Sequence, residues 1–187
     1  MIKVIFAITL TANISIITLS LISFLSKKYQ FWPPPKTDSW QYRVFWTLFR
    51  IMFVGLVSLS ALDFNSFLLN YIWIQYYVGL PLLVSGFGAA FYATYYLGWK
   101  NAHGDIDGLI TTGWYSWSRN PIYVVSFIGM VGWGLLVNSL LVTILLILWA
   151  VIYLIAPFLE EPWLDLKYGS VYSEYKSQVP RFIGFFS

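Results

Sequence analysis

Apolar residues fill five stretches of the chain, at 2–25, 43–62, 71–99, 122–137 and 140–158, and polar residues collect in the intervals between them. A helix needs about 20 predominantly apolar residues to cross a bilayer, so the pattern predicts about five transmembrane helices. The first stretch is too long for the apolar core of a signal peptide and shows no small-residue cleavage site, which marks it as a retained span. The third exceeds what a bilayer requires and is expected to tilt or to project beyond the membrane. Its Ser85-Gly-Phe-Gly-Ala-Ala90 run offers the small surface that permits close helix contact. The fourth and fifth form a hairpin about Asn138 and Ser139, and Pro121 suits the first turn of the fourth, where a missing N–H is harmless.

The intervals carry their own signals. Three consecutive prolines keep Phe31-Trp-Pro-Pro-Pro-Lys-Thr-Asp-Ser-Trp40 from being helical, and its tryptophans suit the headgroup zone. Arg50, well inside the second span, must face the protein interior or snorkel to the headgroups. Residues 159–178 place Leu164, Tyr168, Val171 and Tyr175 on one face by three- and four-residue spacing, which predicts an amphipathic helix.

Composition agrees with the pattern. The chain is 59% hydrophobic, 21% aromatic and only 10% charged, with a mean hydropathy of +0.70. Soluble domains carry about a quarter charged residues, so this chain has too little polar surface for water. The expected fold class is an all-α integral membrane protein of about five transmembrane helices with a C-terminal cytoplasmic amphipathic helix. One membrane domain, 1–187, is expected. In it, 1–99 supply three N-terminal spans, and 100–187 supply the loop, hairpin and C-terminal helix of the catalytic part. Cysteine is absent, which excludes disulfides, thiolate metal sites and cysteine nucleophiles. A net charge of +3 from scattered basic residues argues against nucleic acid as a partner. With five spans, Lys27, Lys28, Lys36, Arg43, Lys100, Arg119, Lys167, Lys176 and Arg181 fall on one side and Lys3 on the other. The positive-inside rule then predicts a multi-pass protein with its N-terminus outside and its C-terminus in the cytoplasm, in the inner or plasma membrane if the host is bacterial.

Two polar clusters therefore meet at one face, 109–123 and 160–181. Arg119 suits a carboxylate or phosphate held in a planar fork, although a positive-inside anchor beside a helix cap is the more frequent origin of such a residue. Asn120 suits either that cap or a ligand. Glu160 and Glu161, directly after an apolar span, suit a cationic ligand or a general base. Equally, they suit the first turn of a helix that Pro162 would open. The tyrosines and tryptophans nearby fit an aromatic box for a sulfonium or ammonium, or an interfacial belt. His103, the only histidine, reads as an exposed loop residue, and no metal site is expected. Gly86 and Gly88 lie inside an apolar stretch with no strand before them, so they are not a dinucleotide loop.

At this point a resemblance enters. The run Gly113-Trp-Tyr-Ser-Trp-Ser-Arg-Asn-Pro-Ile-Tyr123 resembles the G-x-Y-x-x-x-R-H-P-x-Y segment of the isoprenylcysteine carboxyl methyltransferase family. Glu160-Glu161, Leu164, Tyr168-Gly169, Tyr172, Tyr175 and Val179-Pro180-Arg181 are similar to that family's ending. The resemblance covers roughly the last 80 residues and rests on two motifs in order around a helical hairpin. It implies a membrane methyltransferase that uses S-adenosyl-L-methionine in a cytoplasmic pocket, with a lipophilic small-molecule or lipidated acceptor entering from the membrane lipids. Tyr115, Arg119, Asn120, Pro121, Tyr123 and Tyr168 would line the cofactor pocket, and Glu160, Glu161 and Arg181 would sit at the reacting groups. Asn120 stands where that family has histidine, and related phospholipid N-methyltransferases have asparagine there. The acceptor is accordingly open between a carboxylate, an amine and a thiol. Two other readings compete, an NADPH-dependent membrane reductase of the sterol-reductase type, which Lys167-Tyr168-Gly169 echoes, and a non-catalytic membrane protein.

Overall fold

The computed structural model describes residues 1–26, 29–67, 72–104 and 107–184, and the regular structure among them is helical throughout. Lys27, Lys28 and Tyr71 lie outside the described residues. The long elements are α1 (Ile2–Leu25), α2 (Trp40–Leu62) and α3 (Ile72–Leu97). After them come the short α4 (Trp99–Ala102), then α5 (Pro121–Val137), α6 (Leu140–Tyr168) and α7 (Ser170–Gln178). Helices α1, α2, α3 and α6 are long and apolar enough to cross a membrane. The apolar α5 has 17 residues, about 25 Å at 1.5 Å per residue, the short end of the range for a span. The protein is an integral membrane protein with the all-helical architecture its pattern predicts.

Local chemistry sets the helix ends. Helix α2 begins three residues before its apolar stretch because the Ser39 hydroxyl caps it, accepting the Tyr42 N–H at 3.2 Å. Pro121 opens α5, and Asn138 closes it in the left-handed conformation at φ 48°. Ser139 then caps α6 through the Val142 N–H. At this end of the bundle Ser139 also donates to Asp63, and Asn138 Nδ2 donates to Asn65 Oδ1 at 2.7 Å, which ties the α2–α3 connection to the hairpin turn.

Two expectations fail at the C-terminus. Pro162 does not open a helix: α6 runs on through Pro157 and Pro162 to Tyr168. The break comes at Gly169, whose φ of +55° suits glycine. That break resets the register of α7, so Val171 is 61% exposed and Tyr172, at 1%, takes the inward position beside Tyr175. Arg50 is exposed on α2, so it does not face the protein interior, which was the first of the two arrangements open to it.

The main core joins α1, α2 and α6, with Ile16, Met52, Leu56, Leu59, Val142 and Leu145 at its centre. Helices α3 and α5 meet along a glycine seam. A Cβ on Gly86 would run into the Gly129 backbone, and one on Gly132 into the Leu83 backbone. Gly88, from the same small-residue run, meets nothing within 4 Å. Gly86→Val is therefore expected to lower stability by about 1–3 kcal/mol or more, since backbone must move to admit it. Gly88→Val is the control, and equal thermal midpoints for the two variants in detergent would refute the seam.

Candidate active site

The polar run before α5 and the C-terminal segment meet as the motifs suggest. Gly113, at φ +59°, starts a single 3-10 turn, Gly113–Ser116, that drops Tyr115 into the interior at 6% exposure. The Tyr175 hydroxyl donates to the Tyr115 carbonyl at 2.7 Å, and the Arg119 N–H donates to the Pro180 carbonyl at 2.9 Å. Asn120 does not cap α5 with its side chain. Its Nδ2 donates instead to the Arg181 carbonyl at 3.0 Å, so the residue ties down the chain end.

Arg119 is the centre of this clamp. Its NH1 donates to the carbonyls of Lys176 at 2.8 Å and Val179 at 2.7 Å, capping the exit of α7. Its Nε and NH2 reach Glu161 Oε1 at 3.2 and 2.7 Å. Arg181 approaches the same carboxylate from the other side, Nε to Oε1 at 2.9 Å and NH2 to Oε2 at 2.6 Å, with its guanidinium 4.0 Å from the Phe158 ring centre. The side chains of Arg119 and Glu161 are 9% and 8% exposed. Charge-assisted, forked bonds of this kind are the strong class of hydrogen bond. Bonding to Glu161 raises the Arg181 pKa, so its charge is permanent.

Glu160 does something else. Adjacent helical residues point about 100° apart, and this carboxylate faces the other way. Its Oε1 accepts from the Tyr123 hydroxyl at 2.5 Å and from the Trp32 indole N–H at 2.7 Å. Its Oε2 has no hydrogen-bond partner among the described residues, and Glu160 lines the cavity beside it.

That cavity holds about 400 Å³, within the range of small-molecule sites. Tyr115, Arg119, Asn120, Tyr123, Glu160, Glu161 and Tyr168 line it, whereas Pro121 and Arg181 do not. Pro121 is buried at the helix start and Arg181 stands behind Glu161. Several wall residues were missed from sequence. Trp32 and Pro33 come from the proline loop, Phe45 and Trp46 from α2, and Trp99 and His103 from α4 and its end. His103 is not the exposed loop residue expected, because its ring packs on Trp46 with centroids 4.7 Å apart. A second, apolar groove of about 530 Å³ shares Phe49, Thr94, Ile122 and Tyr153 with the cavity and continues between α2, α3, α5 and α6.

Burial holds the phenols of Tyr115, Tyr172 and Tyr175 well above the usual tyrosine range, so they are neutral donors at physiological pH. The native state then keeps protons that the unfolded chain loses above pH about 10. The stability these phenols contribute is whole below that pH and is lost as pH rises through their folded values. Tyr172→Phe is expected to flatten the alkaline fall of the thermal midpoint, and an unchanged curve would refute the assignment.

The family model for phospholipid methyltransferase matches residues 74–171, just over half of the chain. No curated protein and no solved structure matches it. The match spans most of α3 through the start of α7, with the Arg119 motif and Glu160 to Gly169 of the second inside it and Tyr172 to Arg181 beyond it. Fold, paired motifs and family match agree that the chain belongs to the phospholipid methyltransferase family of integral membrane methyltransferases.

Proposed function

We propose that the protein transfers a methyl group from S-adenosyl-L-methionine to the amine of a membrane lipid, at the cytoplasmic face. The observation that carries this reading is the division of labour between the two glutamates. Arg119 spends its donors on Glu161 and two backbone carbonyls, and Arg181 bonds Glu161 from outside the cavity, so neither presents an open fork to an acceptor in the cavity. Glu160 keeps one oxygen open to an aromatic-walled cavity, an arrangement that suits a cation. Both a sulfonium donor and an ammonium acceptor are cations.

Among the described residues, those lining the cavity fit that donor: a carboxylate and several aromatic faces, with the Arg119 guanidinium on the wall turned to Glu161. Tyr115, Arg119, Asn120, Tyr123 and Tyr168 would hold it, with Pro121 fixing the start of the helix that carries Tyr123. Bound there, it would supply a methyl group whose C–S bond breaks as the acceptor's lone pair forms the new bond, the electron pair staying on sulfur. An ammonium has no lone pair until it loses a proton, and Glu160 Oε2 would take it. Tyr123 and Trp32 hold the other oxygen while this happens. The clamp of Arg119 and Arg181 on Glu161 holds the C-terminal segment beside the cavity, and water kept out there would strengthen every charge interaction inside. The apolar groove that shares four wall residues with the cavity would take the acceptor's chains.

Topology supports the orientation. The ends bearing Lys36, Lys100, Lys176 and Arg181 gather at the site, and Lys3 lies at the far end of α1. The test is methyl transfer in proteoliposomes from labelled S-adenosyl-L-methionine. An aminophospholipid should be labelled at nitrogen. Label found only as a methyl ester on a carboxylate lipid would overturn the amine assignment.

A further inference from the structure

The family match begins at residue 74, yet one of the two groups holding Glu160 comes from residue 32. We propose that the α1–α2 connection is part of the active site and that Trp32 is a positioning residue for Glu160. The inference rests on the methyltransferase reading of that carboxylate. An indole N–H can only donate, so its partner must be an acceptor, and it finds one 2.7 Å away across 128 residues of sequence. Two donors on Oε1 fix the plane of the carboxyl group and leave Oε2 turned to the cavity.

The loop is fixed without help from Glu160. The Phe31 N–H donates to Ser23 Oγ at 3.0 Å, and Gln30 Nε2 donates to the Pro33 carbonyl at 2.6 Å. Phe31 is fully buried, and the Trp32 ring stacks on Phe45 with centroids 4.1 Å apart. Trp32 is therefore held in place first and holds Glu160 second. Without its N–H the carboxylate would hang from Tyr123 alone and turn about that bond. A misplaced proton acceptor slows the transfer and leaves binding of S-adenosylhomocysteine, whose sulfur is uncharged, intact.

Two variants separate this role from simple packing. Trp32→Phe removes the N–H and part of the ring, and Trp32→β-(3-benzothienyl)alanine replaces only the N–H with sulfur. In both, kcat should fall about 10- to 100-fold, the range expected for a lost bond to a charged group and a shifted reactive atom. The dissociation constant for S-adenosylhomocysteine and the KM for the lipid acceptor should stay within about twofold, with the thermal midpoint of the benzothienyl variant unchanged. An active wild type with a benzothienyl variant of unchanged kcat would overturn the inference alone. So would a Phe variant whose kcat, donor affinity and thermal midpoint fall together while the benzothienyl variant matches wild type, because Trp32 would then be only packing. A folded wild type that neither binds S-adenosylhomocysteine nor methylates lipid would overturn both this inference and the enzyme reading beneath it.

Discussion

Glu161→Ala is expected to unlatch the C-terminal segment and abolish activity together. The Glu161 side chain is 8% exposed and pairs with two guanidiniums, one of them 9% exposed at its side chain. Removing one partner of a buried ionic cluster leaves the rest uncompensated, at a typical cost of about 3–5 kcal/mol. That is a large part of an ordinary folding free energy of about 5–15 kcal/mol. Arg119 would still donate to the Lys176 and Val179 carbonyls, so the loss should concentrate at Arg181 and the turn it closes. The expected signature is a lower thermal midpoint and early proteolytic release of the chain beyond α7. A variant of wild-type stability would show that the clamp is incidental.

Glu160→Gln should behave in the opposite way. The amide is the same size, and its oxygen still accepts from Tyr123 and Trp32, so the fold and the affinity for S-adenosylhomocysteine, whose sulfur is uncharged, should survive. It cannot take a proton. Positioned general bases contribute about 10²–10⁴-fold, and kcat should fall by that range. Wild-type turnover in the folded variant would exclude Glu160 as the proton acceptor. Comparing the neighbouring substitutions distinguishes structure from chemistry: one should cost stability, the other rate.

Much of this was legible in the sequence, for physical reasons that also explain the failures. Transmembrane helices announce themselves because hydrocarbon tolerates so few charges, and the five apolar stretches became α1, α2, α3, α5 and α6. Arg119 and Glu161 stood in paired motifs and now touch. The adjacent glutamates read as one feature, because a linear string cannot show that neighbours on a helix diverge by about 100°. Pro162 read as a helix start, yet α6 carries both it and Pro157 and stops at a glycine. That single glycine moved Val171 outward and Tyr172 inward, which no extrapolated periodicity could follow. Trp32 was the largest omission. Its partner lies 128 residues away, and a tryptophan beside three prolines at a membrane edge has an ordinary explanation in the headgroup zone.

The most direct measurement is calorimetric titration of the detergent-purified protein with S-adenosylhomocysteine, with NADPH titrated in parallel. Saturable binding of S-adenosylhomocysteine, absent for NADPH and retained in Glu160→Gln, is the result predicted. Binding of NADPH alone, or of neither by folded protein, would contradict it.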